Sequence, residues 1–192
     1  MCGIVGYLGN GIAQESLIDG LKRLEYRGYD SAGVAFHEGN KFSMARETGR
    51  VKNLAEVVQK KSSSSSLGIA HTRWATHGAV TLSNTHPHTS HDGKFVLVHN
   101  GVIENFSPLK KFLKGKGIQF TSETDSEVLC NLIAFHYSAS PESKERFVDA
   151  VRLALPQCRG AYGIAVLCLD KPDVLIGARR GSRLVVALGH DV

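Results

Sequence analysis

Apolar and polar positions repeat along this chain with two periods, and the switches between them outline its elements. Residues 3–8 (GIVGYL) read as a strand. From Gln14 to Leu24 the apolar residues Leu17, Ile18, Leu21 and Leu24 fall on one face of a helix. Two runs, 33–37 and 41–46, predict a hairpin turning at Glu38-Gly39-Asn40. A short amphipathic helix follows over Val51 to Lys60. The serine run Ser62 to Ser66 reads as a surface loop, and because the strand GIAH resumes at once it is not a domain boundary. FVLVH (95–99) is a strongly apolar strand. Helices are predicted at about 107–114, 125–137 and 142–155, strands at 162–169 and 174–178, and the last apolar run is Leu184 to Leu188. Strands come in groups and helices do not strictly alternate with them. This predicts an α+β fold of stacked layers rather than a doubly wound parallel sheet. Between Arg73 and Lys94 the pattern fails over a long stretch rich in histidine, and loops of that length inside a compact domain are functional or disordered.

Composition narrows the class. At 192 residues the chain predicts one domain, 1–192, and 42% hydrophobic against 21% charged residues suffices for a real core. The formal net charge is +5, yet the nearest approach to a basic cluster, Lys110, Lys111, Lys114 and Lys116, shares a predicted helix with Leu109, Phe112 and Leu113. A solvated helix face is the plain reading, so no nucleic-acid partner is expected. The mild positive balance also suits an anionic substrate or partner domain. The four cysteines, Cys2, Cys130, Cys158 and Cys168, show no CxxC spacing, which supports neither a zinc ribbon nor a redox pair and fits a reducing compartment. Cys130 and Cys168 lie in apolar runs as buried thiols. The opening MCGIVGYLG carries no basic leader, and no run approaches a membrane span, so a cytoplasmic protein without a membrane partner is expected.

Several segments hold residues suited to chemistry. Once Met1 is removed, Cys2 would carry a thiol and a free α-amine; that amine, with a pKa of roughly 7.7–8.0, can take the thiol proton. On position alone, a small buried residue is the stronger reading. Gly3 behind it would let backbone and ligand approach closely. His99-Asn100-Gly101 reads first as a hairpin turn, and second as an oxyanion hole made of the Asn100 amide and the Gly101 N–H. In AHTRWATHG (70–78), Arg73 offers a planar fork for a carboxylate, and Trp74 could cover a site. A surface ion pair, ordinary packing and a local hydrogen bond are the plain readings of Arg73, Trp74 and His77. In SETDSEVL (122–129), Thr124 and Glu127 fit a capping box, with Asp125 in the first turn serving the helix dipole, an amino-acid ammonium, or both. His86-Pro87-His88 lacks a third ligand at recognisable spacing, so no metal is expected. No GxGxxG follows a strand, so dinucleotide binding is unsupported.

Taken together, MCGIVGYLG, LKRLEYRGYDSAGVA, GIAHTRWATHG, NTHPH, VHNGVIENF and SETDSE, in this order, closely resemble the glutaminase domain of the glucosamine-6-phosphate synthase family of class II amidotransferases. The resemblance spans Cys2 to about Gly189. It implies an N-terminal-nucleophile hydrolase fold, a four-layer αββα sandwich with two antiparallel sheets. It implies hydrolysis of L-glutamine to L-glutamate and ammonia without a cofactor. Cys2 would attack the amide; Asn100 and Gly101 would stabilise the oxyanion; Arg73 would hold the α-carboxylate and Asp125 the α-ammonium. Thr76, His77 and Gly101 would complete the pocket, Arg27 would lie near the nucleophile, Trp74 would gate an ammonia channel, and His86 would belong to the loop ordering around the site. In the family, ammonia passes to a C-terminal isomerase domain acting on fructose 6-phosphate, in an enzyme expected to be a homo-oligomer. That domain is expected to lie outside this chain. Arg183 and Ala187 stand where the family more often has proline and glycine, which bears on the interdomain junction. Another class II amidotransferase, an acylase using the same nucleophile, and a non-catalytic domain remain as alternatives.

Overall fold

The computed structural model describes residues 2–74 and 79–189. Two four-stranded antiparallel sheets are stacked face to face and covered by helices on both outer sides. The first sheet has the order β1 (Gly3–Leu8), β4 (Leu67–Arg73), β2 (Ser31–Glu38), β3 (Lys41–Thr48); the second has β5 (His88–Thr89), β6 (Phe95–Gly101), β7 (Tyr162–Cys168), β8 (Leu175–Arg180). Helices α1 (Ala13–Leu24) and α2 (Val51–Lys61) cover the first sheet; α3 (Phe106–Gly115), α4 (Asp125–Ala139) and α5 (Arg146–Ala154) cover the second.

Three apolar clusters fill the three gaps between these layers. Strand periodicity explains the division. In β6, Phe95 and Leu97 point to α4 and α5, while Val96 and Val98 point to the other sheet. In β7, Ile164 and Val166 face the helices, and Ala165 and Leu167 face the sheet. In β4, Ile69 enters the gap between sheets and Ala70 the helical side. Central strands buried on both faces therefore read as continuous apolar runs. Helix α4 is buried on most of its circumference, from Ser126 to Ala134 and again at Tyr137, because it lies between β6 and the neighbouring helices. Helix α1 buries only the stripe Ala13, Leu17, Ile18 and Leu21.

The predicted elements appear with small shifts. The last helix starts at Arg146 rather than near 142. The β2–β3 hairpin pairs Glu38 with Lys41, leaving Gly39-Asn40 as its loop. Gly39 has φ +63°, as the first central position of a type II′ turn requires. The turn expected at Asn100-Gly101 does not exist: both residues lie inside β6, opposite Gly163 and Tyr162. The segment 184–188 forms no strand, and Val185, Val186 and Leu188 are exposed. Lys111, Lys114 and Lys116 are solvated, but Lys110 reaches over the Phe120 ring and donates to the Ser122 carbonyl at 3.0 Å. All four cysteines are free thiols, and Cys130, Cys158 and Cys168 are buried.

Candidate active site

The same periodicity decides which side chains meet at one end of the two sheets. In β4, His71 and Arg73 share the parity of Ile69 and so enter the gap between sheets. In β6, Asn100 shares the parity of Val98 and enters it from the other side, whereas His99 points toward α4. His71 and Asn100 consequently meet: His71 Nε2 lies 2.9 Å from Asn100 Oδ1 and 3.1 Å from the His99 carbonyl. A carbonyl can only accept, so Nε2 carries the proton and the Asn100 atom facing it is oxygen. The amide nitrogen is thereby turned toward Cys2, where Nδ2 donates to the Cys2 carbonyl at 3.1 Å. Burial lowers the His71 pKa from its ordinary value to about 4, partly offset by its hydrogen bonds to Asn100 and His99, so the ring stays neutral.

Gly101 closes β6. Its φ is +135°, and an added Cβ would stand 2.1 Å from the Ala161 carbonyl, so only glycine fits. Val102 N–H donates to the Ala161 carbonyl at 2.9 Å, and Glu104 N–H to the Arg159 carbonyl at 3.0 Å. By antiparallel alternation the Gly101–Tyr162 pair is of the non-hydrogen-bonded kind. The Gly101 N–H therefore faces away from β7, on the side where the two-residue strand β5 does not reach.

Cys2 precedes β1. Its Sγ accepts the Trp74 N–H at 3.3 Å and lies 3.7 Å from the Trp74 carbonyl. Burial pushes the thiol pKa up, opposed by the Trp74 backbone donor and by Arg73. Gly3 serves packing rather than ligand approach: Leu24 of α1 occupies the space an added Cβ would need, at 2.8 Å. Gly28 of the YRGYDSAG motif lies against the Arg73–Trp74 backbone, and Gly33 lets the His86 carbonyl come within 2.0 Å of where its Cβ would be. These glycines explain why that motif accompanies the histidine segment.

A cavity of about 330 Å³ opens beside Cys2, between Arg73, Trp74, Asn84, His86, Gly101 and Asp125. Asp125 opens α4, and its Oδ2 accepts the Ile103 N–H at 2.7 Å. The capping box is half made: Thr124 accepts the Glu127 N–H at 3.2 Å, but the Glu127 carboxylate turns to the N–H and hydroxyl groups of Thr121 and Ser122 instead of the Thr124 N–H. Four donors thus anchor the loop that delivers Asp125. His86 is buried, stacks on His71 at 4.1 Å, and contacts Ser126 Oγ at 2.9 Å, as does His99 Nδ1. One hydroxyl can donate to one ring and accept from the other. His88 contacts the Thr124 hydroxyl at 3.1 Å. Burial depresses the pKa of His86 well below its ordinary value and that of His88 to about 3. Among the described residues no set of three His, Cys, Asp or Glu side chains is arranged to hold a metal.

Cys2 also borders a second cavity of about 650 Å³, with Arg27, Trp74, Asn100, Gly101 and Arg183. Arg27 lies here and not with Arg73 and Asp125; its Nε bonds the Tyr26 hydroxyl at 3.1 Å. Trp74 borders both cavities, with its ring edge-on to Tyr29 at 5.2 Å. Thr76 and His77 lie outside the described residues. Sequence reading gave no role to His71, Asn84 and Ser126 and read His99 only as part of a turn, although all four lie within the quoted motifs; their contacts are between distant segments.

A model of the class II glutamine amidotransferases matches residues 4–190, and the chain belongs to that family. Its fold is that of the N-terminal-nucleophile hydrolases: the Bacillus subtilis glutamine phosphoribosylpyrophosphate amidotransferase superposes with a TM-score of 0.75 over 93% of this chain and 37% of that one, at 24% identity. Among sequence relatives, the glutamine–fructose-6-phosphate aminotransferase (isomerizing) of Caldanaerobacter subterraneus subsp. tengcongensis is 47% identical over 99% of this chain. That of Acinetobacter baylyi is 50% identical over 98%. The chain spans 30% of the length of each.

Proposed function

We propose that this chain hydrolyses the side-chain amide of L-glutamine, with Cys2 as nucleophile. The observation carrying this is the convergence on one cavity of a thiol held by a backbone N–H and of a cation and a carboxylate suited to the two ends of an amino acid, with the Asn100 amide locked so that its nitrogen faces Cys2 from the adjoining cavity. With Met1 removed, the Cys2 α-amine takes the thiol proton, needed because burial disfavours the thiolate. Sγ adds to the amide carbon. The Asn100 amide and the Gly101 N–H receive the oxyanion. The amide nitrogen takes the proton from the α-ammonium and leaves as ammonia, giving a thioester. Water, deprotonated by the α-amine, adds to the thioester, and collapse releases L-glutamate and the thiol. Arg73 pairs with the α-carboxylate and Asp125 with the α-ammonium. His86 borders the same cavity, Thr76 and His77 are assigned to substrate binding by the resemblance alone, and Trp74 and Arg27 line the second cavity as the way out.

In a longer protein the ammonia would pass through that second cavity to an isomerase domain converting fructose 6-phosphate to glucosamine 6-phosphate, within a homo-oligomer in the cytoplasm. Support for this acceptor comes from the names and identities of the relatives. No helix among the described residues is long and apolar enough to cross a membrane. The test couples intact mass to ammonia release from L-glutamine. A Met1-free protein releasing ammonia, with Cys2→Ala inactive, is expected. A Met1-free, folded protein without activity, or an active Cys2→Ala, would refute the nucleophile assignment.

A further inference from the structure

Arg73 and Asp125 reach the cavity from separate parts of the chain, one at the end of β4 and the other at the start of α4. A free amino acid can engage both only if their separation is held. The side chain joining their supporting loops is Asn84, 3% exposed, in the short 3₁₀ turn Leu82–Asn84. Its Oδ1 accepts the Glu123 N–H at 3.1 Å, two residues before Asp125. Its Nδ2 donates to the Ala79 carbonyl at 3.3 Å. That same carbonyl accepts from Arg73 Nη1 at 3.4 Å. Asn84 also borders the cavity itself.

We infer that Asn84 is a specificity-determining positioning residue that sets the span between the carboxylate-binding Arg73 and the ammonium-binding Asp125, so that the site selects amides bearing a free α-amino acid head group. This rests on the proposed function. The role needs one donor and one acceptor on a short planar group. Alanine supplies neither. Aspartate keeps the acceptor for Glu123 but sets an oxygen against the Ala79 carbonyl and draws Arg73 out of place. The turn itself does not depend on the amide, because it is closed by the Asn84 backbone N–H to Thr81.

The experiment compares alkylation of Cys2 by two electrophiles in wild type, Asn84→Ala and Asn84→Asp. One is 6-diazo-5-oxo-L-norleucine, which carries the α-amino and α-carboxyl groups; the other is iodoacetamide, which carries neither. Melting temperatures and the KM and kcat for L-glutamine are measured alongside. Because small misplacements of binding groups cost up to about a hundredfold, both variants should react with the norleucine reagent roughly ten- to a hundredfold more slowly. Iodoacetamide should react within about twofold of wild type, and KM should rise more than kcat falls. Equal slowing of both reagents would mean that Asn84 only maintains packing and would overturn the inference, as would unchanged rates with both. If wild-type Cys2 showed no preference for the norleucine reagent, the amino-acid reading of the cavity would fail first, which separates the two failures.

Discussion

His71 touches neither the thiol nor the cavity, yet the geometry makes the orientation of Asn100, the proposed oxyanion donor, depend on it. Replacing it by phenylalanine keeps a ring of similar size against His86 and removes the one N–H shared by the Asn100 Oδ1 and the His99 carbonyl. Two buried acceptors are then left without that donor. Leaving a buried polar group unsatisfied costs about 1–3 kcal/mol, so His71→Phe should lower stability by that order and still fold. The larger effect should be on rate. With the ring N–H gone, the Asn100 amide is free to rotate, and the orientation with oxygen toward the nucleophile gives repulsion where the transition state needs a donor. The ceiling is the complete loss of one oxyanion donor, roughly a hundred- to a thousandfold in kcat; a loss of about tenfold or more is expected, with KM for glutamine little changed. A double-mutant cycle isolates the pathway. In an Asn100→Ala background, itself down roughly a hundred- to a thousandfold, adding His71→Phe should change kcat by less than about twofold, because its target is already gone. Ammonia release under saturating glutamine, followed by stopped aliquots for the slow variants, gives the four rates. A folded His71→Phe with wild-type kcat, or an equal loss in both backgrounds, would refute the reasoning.

Two further outcomes follow from burial and close packing. His71 and His88 have folded pKa values near 4 and 3, below the ordinary histidine value of 6.5, so the unfolded chain binds protons first on acidification. Their effect is absent above about pH 6.5 and grows as pH falls, each costing about 2 kcal/mol of stability near about pH 5. Denaturant midpoints should therefore fall steeply between about pH 6.5 and 4, and a flat profile there would contradict neutral burial. Gly33→Ala would drive a Cβ against the His86 carbonyl, so a destabilisation of about 1–3 kcal/mol and a clear loss of glutamine hydrolysis are expected. Thermal denaturation and the ammonia assay read both; a variant matching wild type in both would show that the β2–His86 approach is not tight.

The sequence by itself determined most of the elements and named the candidate residues. Periodicity placed β1, α1, the β2–β3 hairpin and α2 to within about two residues, because each has a local pattern that no distant contact overrides. The motifs named Cys2, Arg73, Asn100, Gly101 and Asp125 from residue type and resemblance. What the chain could not declare is parity and pairing. Asn-Gly at 100–101 carries the strongest local turn signal, yet partnership with β7 draws both residues into the strand. Gly3 read as room for a ligand is room for Leu24. Most of all, the locking of Asn100 by His71 and the bridge from Ala79 through Asn84 to Glu123 join residues tens of positions apart. Such bonds leave no periodic trace, because side-chain period is a property of one strand or helix. Which faces meet across the gap between two sheets is decided only when both sheets pack.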